Sequence, residues 1–165
     1  MVVSGSWEST TATTWLRLEG APIDEAAVAT FCRRPSVGAV VTFAGTVRDQ
    51  GEGLSGIIAL HYEVALELAA ARLDAIAARA FSDAPELQAL AVHHRLGRVP
   101  LGEPAVVVAA AAAHRDLAFD AARFVIDAVK VAVPLVKQEL TEVGARWAPS
   151  ATPLEDFPTQ KDVTS

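Results

Sequence analysis

Lysine is scarce in this chain: three residues in 165, against eleven arginines. Two of the three, Lys130 and Lys137, stand seven residues apart around Pro134 in the otherwise apolar stretch Phe124 to Leu140. Arginine stays protonated in proteins, whereas a lysine can be pushed towards neutrality, shuttle a proton or attack as an amine. The plainer alternative is that Lys130 complements a helix C-terminus and Lys137 is solvated surface. Cysteine is scarcer still. Cys32 stands alone, which excludes an internal disulfide and a C-x-x-C redox or zinc site. Long apolar runs are missing too: Ala105 to Ala113 has half the roughly 20 residues needed to span a bilayer, so it reads as a strand and no membrane association is expected. Met1 to Thr14 carries neither a basic cluster nor an apolar centre, so no signal peptide is expected and a cytoplasmic location follows. Positive charge is in deficit, 14 basic against 20 acidic residues for a net −6, which disfavours nucleic acid and anionic surfaces as partners. Any anionic ligand has to be held locally.

What is present fits one α+β domain. Met1 to Ala12 is polar and expected to be flexible, Thr13 to Ala148 forms the folded part, and Pro149 to Ser165 is a tail rich in Pro, Thr and Asp. Trp15 to Glu19 alternates as a strand. Pro22 and Asp24 open an amphipathic helix that ends near Arg33-Arg34-Pro35. Gly38 to Val47 reads as a buried strand, Arg48 to Gly56 as a glycine-rich loop, and Ile57 to Glu63 as a strand. A helix over Val64 to Phe81 carries the core stripe Leu66, Ala69, Leu73, Ile76 and Ala80. Leu87 to His94 and Pro104 to Ala113 are strands joined through Gly97, Pro100 and Gly102. Asp116 is the expected N-cap of the last long helix, whose charged positions Asp116, Asp120, Arg123, Asp127 and Lys130 fall on one stripe. Pro134 ends that helix shortly after Lys130 and leaves Lys137 on an extended segment.

Few groups remain for chemistry. His114-Arg115 falls where the apolar strand meets the last helix, a place suited to a phosphate or carboxylate, although Arg115 could equally pair with a surface acid. Arg48 leaves a strand end in the string GTVRD, where loop arginines often meet ligands, although a solvated turn residue is at least as common. His93 and His94 are adjacent on a strand and point to opposite faces, so they cannot chelate one ion together. No cluster has metal-ligand spacing, and no phosphate loop or Ser-His-Asp order occurs. The inventory of arginines, one histidine and two lysines suits an anionic substrate and proton transfer, and two neighbouring lysines would lower each other's pKa.

Several strings together resemble the large, catalytic subunit of molybdopterin synthase: GAVVTFAGTVRD at 38 to 49, LHYE at 60 to 63, HRLGRVPLGE at 94 to 103, AHRDLAFDAARFVIDAVK at 113 to 130, PLVKQE at 134 to 139 and GARW at 144 to 147. They keep the family's order and spacing from about Gly38 to Trp147. The resemblance implies an α/β hammerhead-type single domain with an antiparallel or mixed sheet and about three helices. It implies a homodimer with a small ubiquitin-like sulfur-carrier subunit at each end, a heterotetramer in all. The implied reaction inserts two sulfurs into cyclic pyranopterin monophosphate as a dithiolene, from a thiocarboxylate on the partner's C-terminal Gly-Gly tail. Lys130 and Lys137 match the family's active-site lysines. Thr46, Val47 and Arg48 match a substrate-binding strand end, His114 and Arg115 the segment at the pterin phosphate, and Gln138 and Glu139 the substrate-contacting stretch after the second lysine. No cofactor and no metal is expected.

The chain also departs from the family's pattern. An arginine is usual two residues after the first lysine, an aromatic before the second and a basic residue after it; Ala132, Val136 and Gln138 stand there. Two other readings therefore accompany the first: a non-catalytic paralogue that only binds partner or pterin, and a Schiff-base lysine lyase acting on a phosphorylated carbonyl compound. Cys32, in the first helix, is expected to be a buried structural thiol rather than a sulfur carrier. The last residues, Asp-Val-Thr-Ser, differ from a Gly-Gly tail, so the chain is not expected to be the donor.

Overall fold

Two stretches buried over almost their whole length, Leu87–Arg95 and Pro104–Ala112, become the central strands β7 and β9, and the rest of the chain is arranged to cover them. The computed structural model describes residues 5–148. In chain order the elements are β1 (Trp7–Thr10), β2 (Thr14–Glu19), α1 (Glu25–Phe31), β3 (Ala39–Thr46), β4 (Gln50–Gly51), β5 (Leu54–Ser55), β6 (Ile57–Val64), α2 (Leu66–Asp83), then β7, β8 (Gly97–Pro100), β9, α3 (Arg115–Ala132), β10 (Leu135–Thr141) and β11 (Gly144–Trp147). This is the expected α+β plan with three helices.

One sheet has five strands in the order β1-β2-β7-β9-β3, with β2 and β7 parallel and the other pairs antiparallel. The even-numbered side chains of β7 and β9, among them Leu90, Val92, Val106, Val108 and Ala110, pack with Leu73 and Ile76 of α2 and Val125 and Val129 of α3. The odd-numbered ones, including Ala89, Ala91, Val107 and Ala109, pack with Val28 of α1 and Cys32. Cover on both faces is why these strands show no polar alternation. Each Val or Leu buried there contributes on the order of 1.5–3 kcal/mol. A second, four-stranded antiparallel sheet has the order β11-β10-β6-β8. Its smaller core joins Ile57 and Val99 to Val47 and Ala105.

Several expectations shift. Trp7–Thr10, in the segment expected to be flexible, forms β1 by pairing with β2; residues 1–4 and the 149–165 tail lie outside the described residues. The stretch Gly38 to Val47, read as a buried strand, forms β3 at the sheet's edge, paired with β9 alone and with Thr42 and Phe43 exposed. Its apolar sequence reflects two faces, but burial also needs a neighbour on each side. The glycine-rich loop holds the two-residue strands β4 and β5. Val64 ends β6, opposite Leu135, rather than starting α2. The N-cap of α3 is His114, extended at φ −123° and ψ 147°, and Asp116 sits in the first turn, where its carboxylate is favoured by the helix dipole. Pro134 acts as expected: α3 stops at Ala132 and Val133 is extended. Among the described residues, no helix is long and apolar enough to cross a membrane.

Candidate functional site

A two-residue connection, Ala113 and His114, turns the chain back after β9, and α3 packs over β9 and β3. Retracing β9 returns the last turn of α3, with exposed Lys130, to the level of Pro104, the register partner of Thr46. Thr46 and Arg48 are exposed at that same sheet end. Lys137 reaches it from the other sheet. Its cross-strand partner is Tyr62 of β6, whose ring stands edge-on to that of His94 at 4.9 Å and 78°. His94 pairs with Val106, and Val106 with Gly45, the residue before Thr46. The two lysines thus flank the exit of β3, one on a helix end and one on the strand after Pro134.

The five other expected site residues are placed differently. Arg115 begins α3 and Lys130 lies fifteen residues on, so at 1.5 Å rise per residue the two are about 22 Å apart along the helix. His114 and Arg115, both exposed, therefore lie at the opposite end of the sheet from the lysines of the same chain. Val47 has no free group to offer a ligand: its N–H donates to the Glu103 carbonyl at 3.0 Å, its carbonyl accepts from Gly102 at 2.8 Å, and its side chain is buried. Glu139 is likewise engaged within the fold. Its carboxylate is buried and accepts from Nη2 of Arg146 at 2.6 Å and from Nε at 3.2 Å. Arg146 also donates to the Glu52 carbonyl at 2.8 Å. The glutamate thereby ties the β10–β11 hairpin to the glycine-rich loop. At Gly51 a Cβ would lie 2.2 Å from Glu139 Oε1, so a larger residue there would push that carboxylate aside. Gln138 is half-buried, paired with His61 and Trp147, and points to the face of β10 opposite Lys137.

The supporting groups are held in fixed states of charge. Burial pushes His94 down to about 4, its Nδ1 lying 2.9 Å from the Arg95 carbonyl. His93, on the other face of β7, is also lowered to about 4, by burial and then by Arg17, and meets the Trp15 ring edge-on at 4.1 Å. Burial raises the Tyr62 phenol to about 12, so it remains a neutral donor. Arg95 is buried and ion-paired with Glu103, whose own carbonyl holds Val47. Cys32 follows α1; burial lifts its thiol to about 11 against the opposing effect of Arg34, and its Sγ lies 3.6 Å from the Ala109 carbonyl. Such a thiol is a poor nucleophile. Among the described residues, no three His, Cys, Asp or Glu side chains gather where they could hold a metal ion.

Residue reasoning missed Phe43, Tyr62 and Arg146. Phe43 is 36% exposed on β3, three residues before Thr46, and offers an aromatic surface beside the site. Tyr62, the chain's only tyrosine, carried a signal in that rarity. Arg146 lay inside GARW without a role, because only the fold reveals what it pairs with.

The same arrangement of elements is found in a solved structure of molybdopterin synthase from Staphylococcus aureus, with a TM-score of 0.75 at 28% identity over 81% of this chain and 96% of that one. The MoaE protein family matches residues 18–132, and this chain belongs to that family. The matched stretch holds Arg48, His114, Arg115 and Lys130 and stops before Lys137. A molybdopterin synthase catalytic subunit from Oryza sativa subsp. indica is 47% identical over 112 residues, 68% of this chain and 57% of that protein. One from Pseudomonas aeruginosa is 45% identical over 113 residues, 67% of this chain and 73% of its own length. The chain thus spans little more than half of the rice relative.

Proposed function

We infer that this chain is the catalytic subunit of a molybdopterin synthase, a sulfurtransferase that moves sulfur from a thiocarboxylated, ubiquitin-like small subunit to cyclic pyranopterin monophosphate in the cytoplasm. The observation that carries this reading is the convergence of exposed Lys130, Lys137, Thr46 and Arg48 on one sheet end of a MoaE family member. Lys130 and Lys137 supply protons and offset the negative charge that develops as the thiocarboxylate sulfur attacks; Arg48 orients the anionic substrate. Val47 and Glu139 serve as supports rather than contacts.

Helix α3 holds His114 and Arg115 about 22 Å from Lys130, farther than a small pterin spans. The reading therefore takes them from a second copy of the chain in a symmetric dimer, with a small subunit at each end as a heterotetramer. Reconstitution tests both parts. With thiocarboxylated partner and cyclic pterin, the wild type forms dithiolene, whereas Lys130→Ala and Arg115→Ala each fail. Co-assembling those two inactive variants restores about a quarter of wild-type activity, because half the dimers then contain one intact site. Normal turnover by Lys130→Ala sinks the catalytic assignment; absence of complementation sinks the shared site.

A further inference from the structure

The Arg33-Arg34 pair after α1 has no part in the reading above. With Val37, Gly38, Ala39 and Val40 these arginines line an open groove of about 260 Å³ between α1 and the start of β3. Among the described residues, no carboxylate lines it. Arg34 is fixed in place: it donates to the Gln88 carbonyl at 3.1 Å and to the Ala12 carbonyl, and its guanidinium lies 5.8 Å from the Phe31 ring centroid. These carbonyls take two of its five N–H groups and leave its charge uncancelled. Arg33 is exposed and makes no ion pair among the described residues. The groove thus combines one anchored and one free guanidinium, in a chain whose net charge is −6.

Its other lining is apolar and half-buried at Val37, Ala39 and Val40. At Gly38 a Cβ would lie 2.2 Å from the Ala113 carbonyl oxygen, so the groove floor rests directly on the turn that leads into His114 and Arg115. Arg115 is 3.6 Å from Asp116 and both are exposed, a pairing weak enough for an anion to displace. A guanidinium fork matches two oxygens of a phosphate, and the valine wall suits a ring or chain attached to it.

We propose that this groove binds a phosphate monoester bearing an apolar group, gripped by Arg33 and Arg34 and packed on Val37 and Val40. The site stands apart from the lysine cluster of the same chain and does not depend on its chemistry. The test titrates the full chain with phenyl phosphate and, separately, inorganic phosphate at low ionic strength, following backbone amide NMR shifts. Phenyl phosphate gives saturable shifts at Val37 to Val40 and binds several-fold more tightly than inorganic phosphate, through the apolar wall. Arg33→Glu, an exposed change that spares the fold, weakens binding about tenfold or more. Arg33→Lys, which keeps charge but loses the fork, falls between. The proposal is overturned if Arg33→Glu binds as wild type, if shifts appear only at His114 and Arg115 or at the lysine end, or if both anions bind weakly without saturation, as adventitious ions only.

Discussion

The two sheets of this molecule are built on opposite terms. The five-stranded sheet is packed on both faces, and its buried histidines are held neutral. The four-stranded sheet has a small core, and its β11 is exposed along its whole length. It is tied down by single polar contacts such as Glu139 with Arg146. One sheet carries the stability and the other carries Lys137. Substitutions should therefore separate cleanly into those that unfold the protein and those that disable it.

The largest effect expected is on turnover. Lys137→Ala lowers dithiolene formation by on the order of 10²–10⁴ while the urea midpoint stays within the small range of surface substitutions; a large loss of stability in that variant would break the division between the sheets. Next comes Leu73→Ala, which opens a cavity between α2 and the large sheet and costs roughly 2–5 kcal/mol by urea unfolding, with kcat unchanged below its melting range.

Acid strikes the large sheet first. His93 and His94 titrate near 4 when folded and near 6.5 in the unfolded chain. The unfolded state thus binds more protons between those values. The stability they lend is complete above about pH 6.5 and falls as pH drops towards 4, by up to roughly 3 kcal/mol for each. Urea midpoints measured across that window should show the slope, and His94→Gln should flatten it.

A smaller effect falls on the other sheet. Glu139→Gln leaves Arg146 half-exposed and able to turn to water, so the cost is about 1–2 kcal/mol. Its clearer signature is faster proteolysis within residues 49–56, the loop that Arg146 fastens. The smallest effect is chemical: Cys32 reacts with a thiol reagent only as fast as the chain unfolds, and Cys32→Ala leaves sulfur transfer intact.

What the sequence disclosed follows the same divide. A continuous apolar run revealed β9, helical spacing and Pro134 bounded α3, and the scarcity of lysine singled out Lys130 and Lys137. Those signals are local. The edge position of β3 was hidden because side-chain pattern records which faces are buried and is silent about lateral neighbours. Val47 and Glu139 sat inside matching strings, yet what they do depends on Glu103, Arg146 and Gly51, which are remote in sequence. The separation of Arg115 from Lys130 was legible in principle, since fifteen helical residues fix a length, but motif order alone carries no distances.

The parallel pairing of β2 with β7 has a consequence for how the protein is made. Thr14–Glu19 docks on Leu90–Arg95, so during synthesis the first hairpin emerges well before the surface that receives it. Central antiparallel partners β7 and β9 are near neighbours in sequence and close a short loop, whereas β2 must close a long one. The amino-terminal hairpin is therefore among the last parts to acquire protection in a pulse-labelled refolding experiment, even though it is the first to leave the ribosome.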